Sequence, residues 1–508
     1  MTDPASRRRS ARGRVSTGMA RLTIILVVGA AVVAAIVFDR TGPESDRASA
    51  DPPTDAPSVP RADALSASWY CAEGTAAADE RADETVLLAN LGDDDAEALV
   101  TVYDAREGDP EPERVEVPAG EQVAVDITDL TDEPEMLLLT RALVGPGAVV
   151  EVFGGQVVVE HAVRSGDDLA VGPCARGAGT EWLFAAGTTV RGTELMLSLF
   201  NPFGDDAIVD LTFLTDAGVQ SPEGGEALSV PRHTRVTIPV HDLVQRQAEV
   251  ATSVSARTGR VVAEQLLTSD GSEIPAGLGL SLGAAAPADS WAFPYGFVSA
   301  GRTHAVSVAN FADTGTEVEV SVALGDAGAD GEGEGEGDAG AVEPQTVPIG
   351  PRSVSVVDVG GFVPVGTPYA VEVRAVGAGP VVAEELVTAE GDTEGGLALD
   401  LGTAEPARRW VFTAPGDAEA GVIIVAFNPG PTAATASLLT LSGGELDPVG
   451  GSEVSIPPGR RASFVLDDLE IDTESVVVLD AGRPVVAERL VGIEGGRSLS
   501  AGVPDLGR

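Results

Sequence analysis

The stretch WLFAAGTTVRGTELMLSLFNPFGDDAIVDLTFL, Trp182 to Leu214, decides the fold. Within it, IVDLTFL places Val209, Leu211 and Phe213 on one face of a period-2 run, the pattern of a half-buried strand. An Asn-Pro turn with Gly and two Asp precedes that run. A Pro-centred turn, VPRHTRV (Val230 to Val236), follows it. A hairpin with a Gly-rich turn comes next, VSARTGRVVAE, and AGLGLSLG (Ala276 to Gly283) closes the block. Short β-branched runs between Gly, Pro, Asn and Asp turns, at intervals of about ten residues, are strand signals.

The same block occurs four times. Trp69, Trp182, Trp291 and Trp410 are 113, 109 and 119 residues apart. Three of them open Trp-x-Phe; the first opens WYC. An Asn follows 18 to 21 residues later: Asn90, Asn201, Asn310 and Asn428. Each hairpin ends in Val-Val-x-Glu, with Glu160, Glu264, Glu384 and Glu488. A repeat of about 110 residues is too long for a propeller blade or a solenoid rung. It matches a sandwich of seven or so strands in two sheets. We therefore expect an all-β protein of four tandem, Ig-like β-sandwich modules at 68–176, 177–285, 286–404 and 405–508. Aromatic residues are only 4%, so the cores must be mainly Val, Leu and Ala, with Trp and Phe anchoring the inner face. The stretch 325–340, GDAGADGEGEGEGDAG, reads as a disordered loop inside the third module.

Six Arg in residues 1–21 precede LTIILVVGAAVVAAIVF, residues 22–38, a run of 17 uncharged residues. That length is at the short end of a membrane-spanning helix, and the Arg cluster predicts a cytoplasmic tail at 1–21. A cleaved signal peptide fits less well, because the run is long and the ASA at 48–50 lies some ten residues beyond it. Residues 39–67, rich in Pro, Asp, Ser and Ala, read as a disordered linker. The modules would then lie outside the cell, on a single-pass protein of the cell membrane. Net charge is −47, which excludes nucleic acid as a partner.

The Trp-x-Phe, Asn-Pro, Val-Pro and Val-Val-x-Glu order resembles a tandem repeat of bacterial extracellular proteins. With its anchor and its Cys-bearing first module, the chain resembles a membrane-anchored family of high-GC Gram-positive bacteria (the type called domain of unknown function 5719). The resemblance covers about residues 68 to 508 and is strongest in the second and fourth modules. It implies architecture and location, and carries no activity.

Cys71 and Cys174 are the only cysteines. Outside the membrane, disulfides persist, so a bridge within the first module is expected. Two free thiols or an intermolecular link are the alternatives. A closed loop of this size is worth roughly 4 to 5 kcal/mol on the chain-entropy model.

The chemistry-bearing candidates are few. GLSLG, with Ser281 central, has the spacing of a nucleophile elbow. Its strand, GLGLSLG (277–283), aligns without gaps to GLALDLG (396–402), where Asp400 takes the place of Ser281. The Ser therefore sits on the polar face of a strand, and not at a strand-to-helix turn. His161, His233, His241 and His304 do not recur between modules and read as surface or loop residues. Acidic turns such as GDDDAE lack calcium-loop spacing and read as solvated turns. No catalytic, cofactor or metal residues are assigned. The four Glu read as structural. They are either outward-facing charges that blunt a sheet edge or carboxylates bonded to backbone donors or to the turn arginines Arg235, Arg352 and Arg461. The expected function is a non-enzymatic scaffold or protein-interaction module of the cell envelope, with an envelope protein or a glycan as partner. A glycan-binding or adhesin-like surface protein is the alternative, and an envelope enzyme the remote one.

Overall fold

The computed structural model describes residues 56–73, 83–103, 110–130, 137–139, 142–327, 342–391, 395–415, 421–493 and 496–506. The expected tail 1–21, helix 22–38, most of the linker and nearly all of the acidic loop lie outside them. Among the described residues no helix is long and apolar enough to cross a membrane.

The described chain is almost entirely antiparallel strand. In the first module, Ser66–Cys71, Gly147–Phe153, Ala96–Tyr103 and Glu113–Val117 make one sheet in that order. Asp168–Pro173, Val157–Ser165, Asp83–Asn90 and Gln122–Asp126 make the other. The third module repeats this order strand for strand, from Ser290–Phe293 to Gly396–Leu401. The second and fourth keep it with added short strands. In the fourth, Val477–Ile493 is one long strand whose first half joins one sheet and whose second half joins the other. Each module is thus a β-sandwich of eight principal strands.

Alternation puts both rings of Trp-x-Phe on the inner face. Trp69, Trp182, Trp291 and Trp410 are all buried. The indole N–H of the last three donates to the carbonyls of Val261, Val381 and Val485, each three residues before the repeated Glu. Trp69 instead lies under the Arg176 guanidinium, 4.6 Å from its ring. In three modules the Phe packs on a glycine just past the closing strand. A Cβ on Gly283, Gly402 or Gly502 would come within 2.7 Å of the ring of Phe184, Phe293 or Phe412. In the first module this pair of positions is Cys71 and Cys174, joined by a disulfide with Cα atoms 4.8 Å apart. The bridge therefore replaces a ring-on-glycine contact and closes the same end of the sandwich.

The four Asn do one job. Asn201 Nδ2 donates to the carbonyls of Asp205 and Val230, and its Oδ1 accepts from Phe203 N–H. Asn90, Asn310 and Asn428 make the same three bonds to their own turns. Only an amide side chain offers two donors and an acceptor at that reach. Asn201→Ala should cost about 1 to 3 kcal/mol in urea unfolding of the full-length protein, because it strands buried carbonyls. A loss below about 0.5 kcal/mol would show that the clamp does not hold the turn.

The modules form a closed cycle. Their closing strands, Asp168–Pro173, Gly277–Leu282, Gly396–Leu401 and Gly496–Ala501, pack on one another, each against those of the modules before and after it and the fourth against the first. Gly279 has a packing reason here: a Cβ would lie 2.7 Å from Leu399 and 2.8 Å from Leu397. Cores run across the junctions. Leu87, Ala162, Leu169 and Val171 of the first module pack into the fourth module's core. Leu183, Ala185, Leu214 and Ala251 of the second pack into the third's. The expected module boundaries are crossed in two further places. The hairpin of Leu137–Leu139 and Ala142–Gly145 adds to the edge of the second module's sheet, beside Thr234–Pro239. Residues 56–67, expected in the linker, include Val59, buried with its N–H on Pro504 O of the fourth module.

Candidate functional site

The repeated glutamates sit where the modules meet. Each is the fourth residue of Val-Val-x-Glu, on a strand next to the closing strand. Such a Glu can point only to the face that meets the preceding module, counted around the cycle. Exposures of 0% for Glu160, Glu264 and Glu384 and 2% for Glu488 exclude the edge-blunting reading.

Their partners are backbone N–H groups just past the neighbour's Trp-x-Phe strand. Glu264 Oε2 accepts from Ala72 and Glu73 N–H of the first module, at 3.1 and 2.6 Å. Glu384 Oε2 accepts from Ala186 N–H of the second module at 2.6 Å, and its Oε1 from the Ser281 hydroxyl at 2.7 Å. Glu488 Oε2 accepts from Tyr295 N–H of the third at 2.9 Å. Glu160 Oε2 accepts from the Thr413 N–H and hydroxyl of the fourth, at 2.7 and 2.6 Å. The strand edge there has lost its ladder partner, so its N–H groups need acceptors, and a carboxylate is the strongest available. Four equivalent bonds, the last from the first module to the fourth, close the cycle.

A second position reaches to the same preceding module, mostly as a donor. Arg235 Nη1 lies 3.5 Å from Ala72 O, Arg461 Nη1 donates to Gly296 O and Tyr369 O, and Gln122 exchanges two bonds with the Ala414 backbone. These residues share one register position, opposite the residue before the clamp Asn. Arg235 and Arg461 thus serve the junctions, but through backbone carbonyls and the carboxylates of Glu73 and Asp326, not through the repeated Glu. Arg352 is a corrected expectation: it stays exposed, 3.7 Å from Asp313.

The arginine that does meet a repeated Glu is Arg489. Its Nη2 lies 3.1 Å from Glu160 Oε1, its Nη1 donates to Thr413 O at 2.6 Å, and both partners are buried. The sequence signal for it was the variable residue after each repeated Glu: His161, Gln265, Glu385, Arg489. Two histidine expectations also change. His161 is buried between Glu84, 2.9 Å from Nδ1, and Glu264, 3.5 Å from Nε2. Burial opposes its charge, but Glu264, Glu84 and Glu73 outweigh that and push it up to about 9. His304 is buried with Nδ1 on the Tyr369 hydroxyl, and burial pushes it down to about 4. His233 stacks on Tyr103 in a loop. Ser281 lies within a strand, buried and bonded to Glu384, which leaves no elbow geometry.

The family of unknown function DUF5719 matches residues 128–294 and 279–499. No curated protein matches the chain. Among solved structures, the chain is similar to Thermotoga maritima 1070, at 17% identity over 23% of this chain and 94% of that one, TM-score 0.19. It is also similar to the Streptomyces avermitilis α-L-rhamnosidase complexed with L-rhamnose, at 12% identity over 78% of this chain and 53% of that one, TM-score 0.10.

Proposed function

The chain belongs to the family of unknown function DUF5719, and with that as premise we propose that it is a non-enzymatic scaffold of the cell envelope. In this proposal the apolar run 22–38 is the membrane anchor, and the four sandwiches stand outside the membrane. The observation that carries this reading is the use made of the repeated residues. Trp, Asn and Glu recur four times, and every Glu is engaged in holding one module to the next. Repetition of that kind serves assembly, whereas an enzyme site needs one constellation in one place. The Trp rings lie inside the sandwiches, so a glycan-binding reading has no support from a stacking platform there.

The test is photo-crosslinking in cells from exposed apolar positions, Leu65, Phe153, Val219, Val365 or Val376, in the full-length protein. Capture of one or a few envelope proteins supports the scaffold. Labelling of cell-wall glycan, with retention on a glycan array, replaces it with the glycan-binding alternative.

A further inference from the structure

The four junctions are built alike, and one of them is wrong in charge. Three positions converge at each: the repeated Glu of one module, the residue that follows the repeated Glu of its neighbour, and that residue's register partner on the neighbour's closing strand. Between the first and second modules these are Glu264, His161 and Gly172; between the second and third, Glu384, Gln265 and Ser281. Between the fourth and first they are Glu160, Arg489 and Ser500. In each of these sets one side chain faces the carboxylate with a donor: His161 toward Glu264, Ser281 toward Glu384 and Arg489 toward Glu160. Between the third and fourth modules the set is Glu488, Glu385 and Asp400, three carboxylates and no donor.

One oxygen of each lies within 4.8 Å of one from each of the others. Glu385 is 0% and Glu488 2% exposed, and Asp400 is partly buried. Glu488 Oε2 is taken by Tyr295 N–H and Asp400 Oδ2 by Ala501 N–H. Glu488 Oε1 and both Glu385 oxygens have no hydrogen-bond partner among the described residues. Pro294 removes the N–H at the place where Ala72 offers one to Glu264, so this junction is also short of a backbone donor. Arg461, the nearby guanidinium, is bonded to Asp326, Gly296 O, Tyr369 O and Ser463. Two buried carboxylates and a partly buried third, without a counter-charge, are too costly to stand ionised together.

We propose that Glu385, Asp400 and Glu488 bind one hard divalent cation, of the Ca²⁺, Mg²⁺ or Mn²⁺ class, which ties the third module to the fourth. All-oxygen carboxylate donors suit those ions and not the thiolate-seeking ones. The ion stands where the Arg489 guanidinium stands at the junction between the fourth and first modules. His304 lies beside this set, with Nε2 2.6 Å from Glu385 Oε2.

The test uses the full-length protein in detergent, stripped with EDTA and titrated with CaCl₂, MgCl₂ or MnCl₂ alone. One ion per chain is expected by calorimetry, with a Kd of about 10⁻⁶ to 10⁻⁴ M. At 100-fold excess over Kd, Tm should rise by roughly 3 °C. The double variant Glu385→Gln with Asp400→Ser restores the residues of the second module's junction. It should fold, keep its Tm in EDTA at or above that of the stripped parent, and lose the stoichiometric ion. With so acidic a surface, loose binding of many ions is expected in both proteins and counts for nothing. No stoichiometric ion in the parent overturns the proposal and points to a shared proton. A stoichiometric ion that survives in the double variant overturns it equally.

Discussion

Replacing Arg489 by Ala lowers the unfolding free energy of the full-length protein by about 3 to 5 kcal/mol, the cost of leaving one member of a buried ion pair alone. Glu160, fully buried, would keep only the Thr413 N–H and hydroxyl, and Thr413 O and Ser500 Oγ would each lose the Arg489 bond. The guanidinium also stacks 5.7 Å from the Phe412 ring, so packing is lost with charge. Arg489→Gln should cost less, since Gln265 fills the same position at the second junction. A cycle with Glu160→Gln separates the pair from its surroundings, and a coupling energy above about 1.5 kcal/mol is expected. Coupling under about 0.5 kcal/mol would mean that the fourth-to-first junction is held by apolar contact alone. Because cores cross the junctions, parent and variants should each unfold in one transition.

The second large effect is pH. Burial pushes Glu264 and Glu384 up to about 7 and Glu385 up to about 8. The folded state therefore holds protons that the unfolded chain releases near 4.5. Stability from these groups is complete below pH 4.5 and is lost as pH rises through 7 to 8. His161, raised to about 9, acts in the same sense: its contribution is present below 6.5 and lost as pH rises through 9. His304, lowered to about 4, acts oppositely, and its contribution disappears as pH falls from 6.5 through 4. Stability in EDTA should therefore peak near pH 4 to 5 and fall by at least about 3 kcal/mol between pH 5.5 and pH 8.5. Most proteins gain stability over the acid half of that range. Urea midpoints at pH 5.5, 7 and 8.5 measure it. Glu384→Gln, which keeps an acceptor for Ala186 N–H, should flatten the slope. A profile that is level or rises toward pH 8.5 would show that these carboxylates are ionised and solvated in the folded protein.

Much of the architecture was legible in local pattern. Strand period, turn residues and the recurrence of Trp, Asn and Glu give sandwiches and their number, because each reports on neighbours within a few residues. The site was legible only in part. That Glu264 recurs as Glu160, Glu384 and Glu488 marks it as structural, and backbone donors are among the partners a strand carboxylate can take. The turn arginines were the wrong partners for it, since Arg235 and Arg461 point along the strand edge to carbonyls. His161 and His304 looked exposed because neither recurs, yet each compensates a carboxylate peculiar to its own module.

By itself, then, the amino-acid order determined an all-β chain of four repeated modules and the one intramolecular pairing open to two cysteines. Alternation assigns each residue to a face, and with only two cysteines there is nothing else inside the chain for either to pair with. The tertiary structure alone decided that the modules close into a cycle. It also decided that each repeated Glu is buried against its neighbour's backbone, and that one junction gathers three acids. A register position says which face a side chain occupies. Whether that face meets water or a module more than a hundred residues away depends on the packing of whole sandwiches, which no local period encodes.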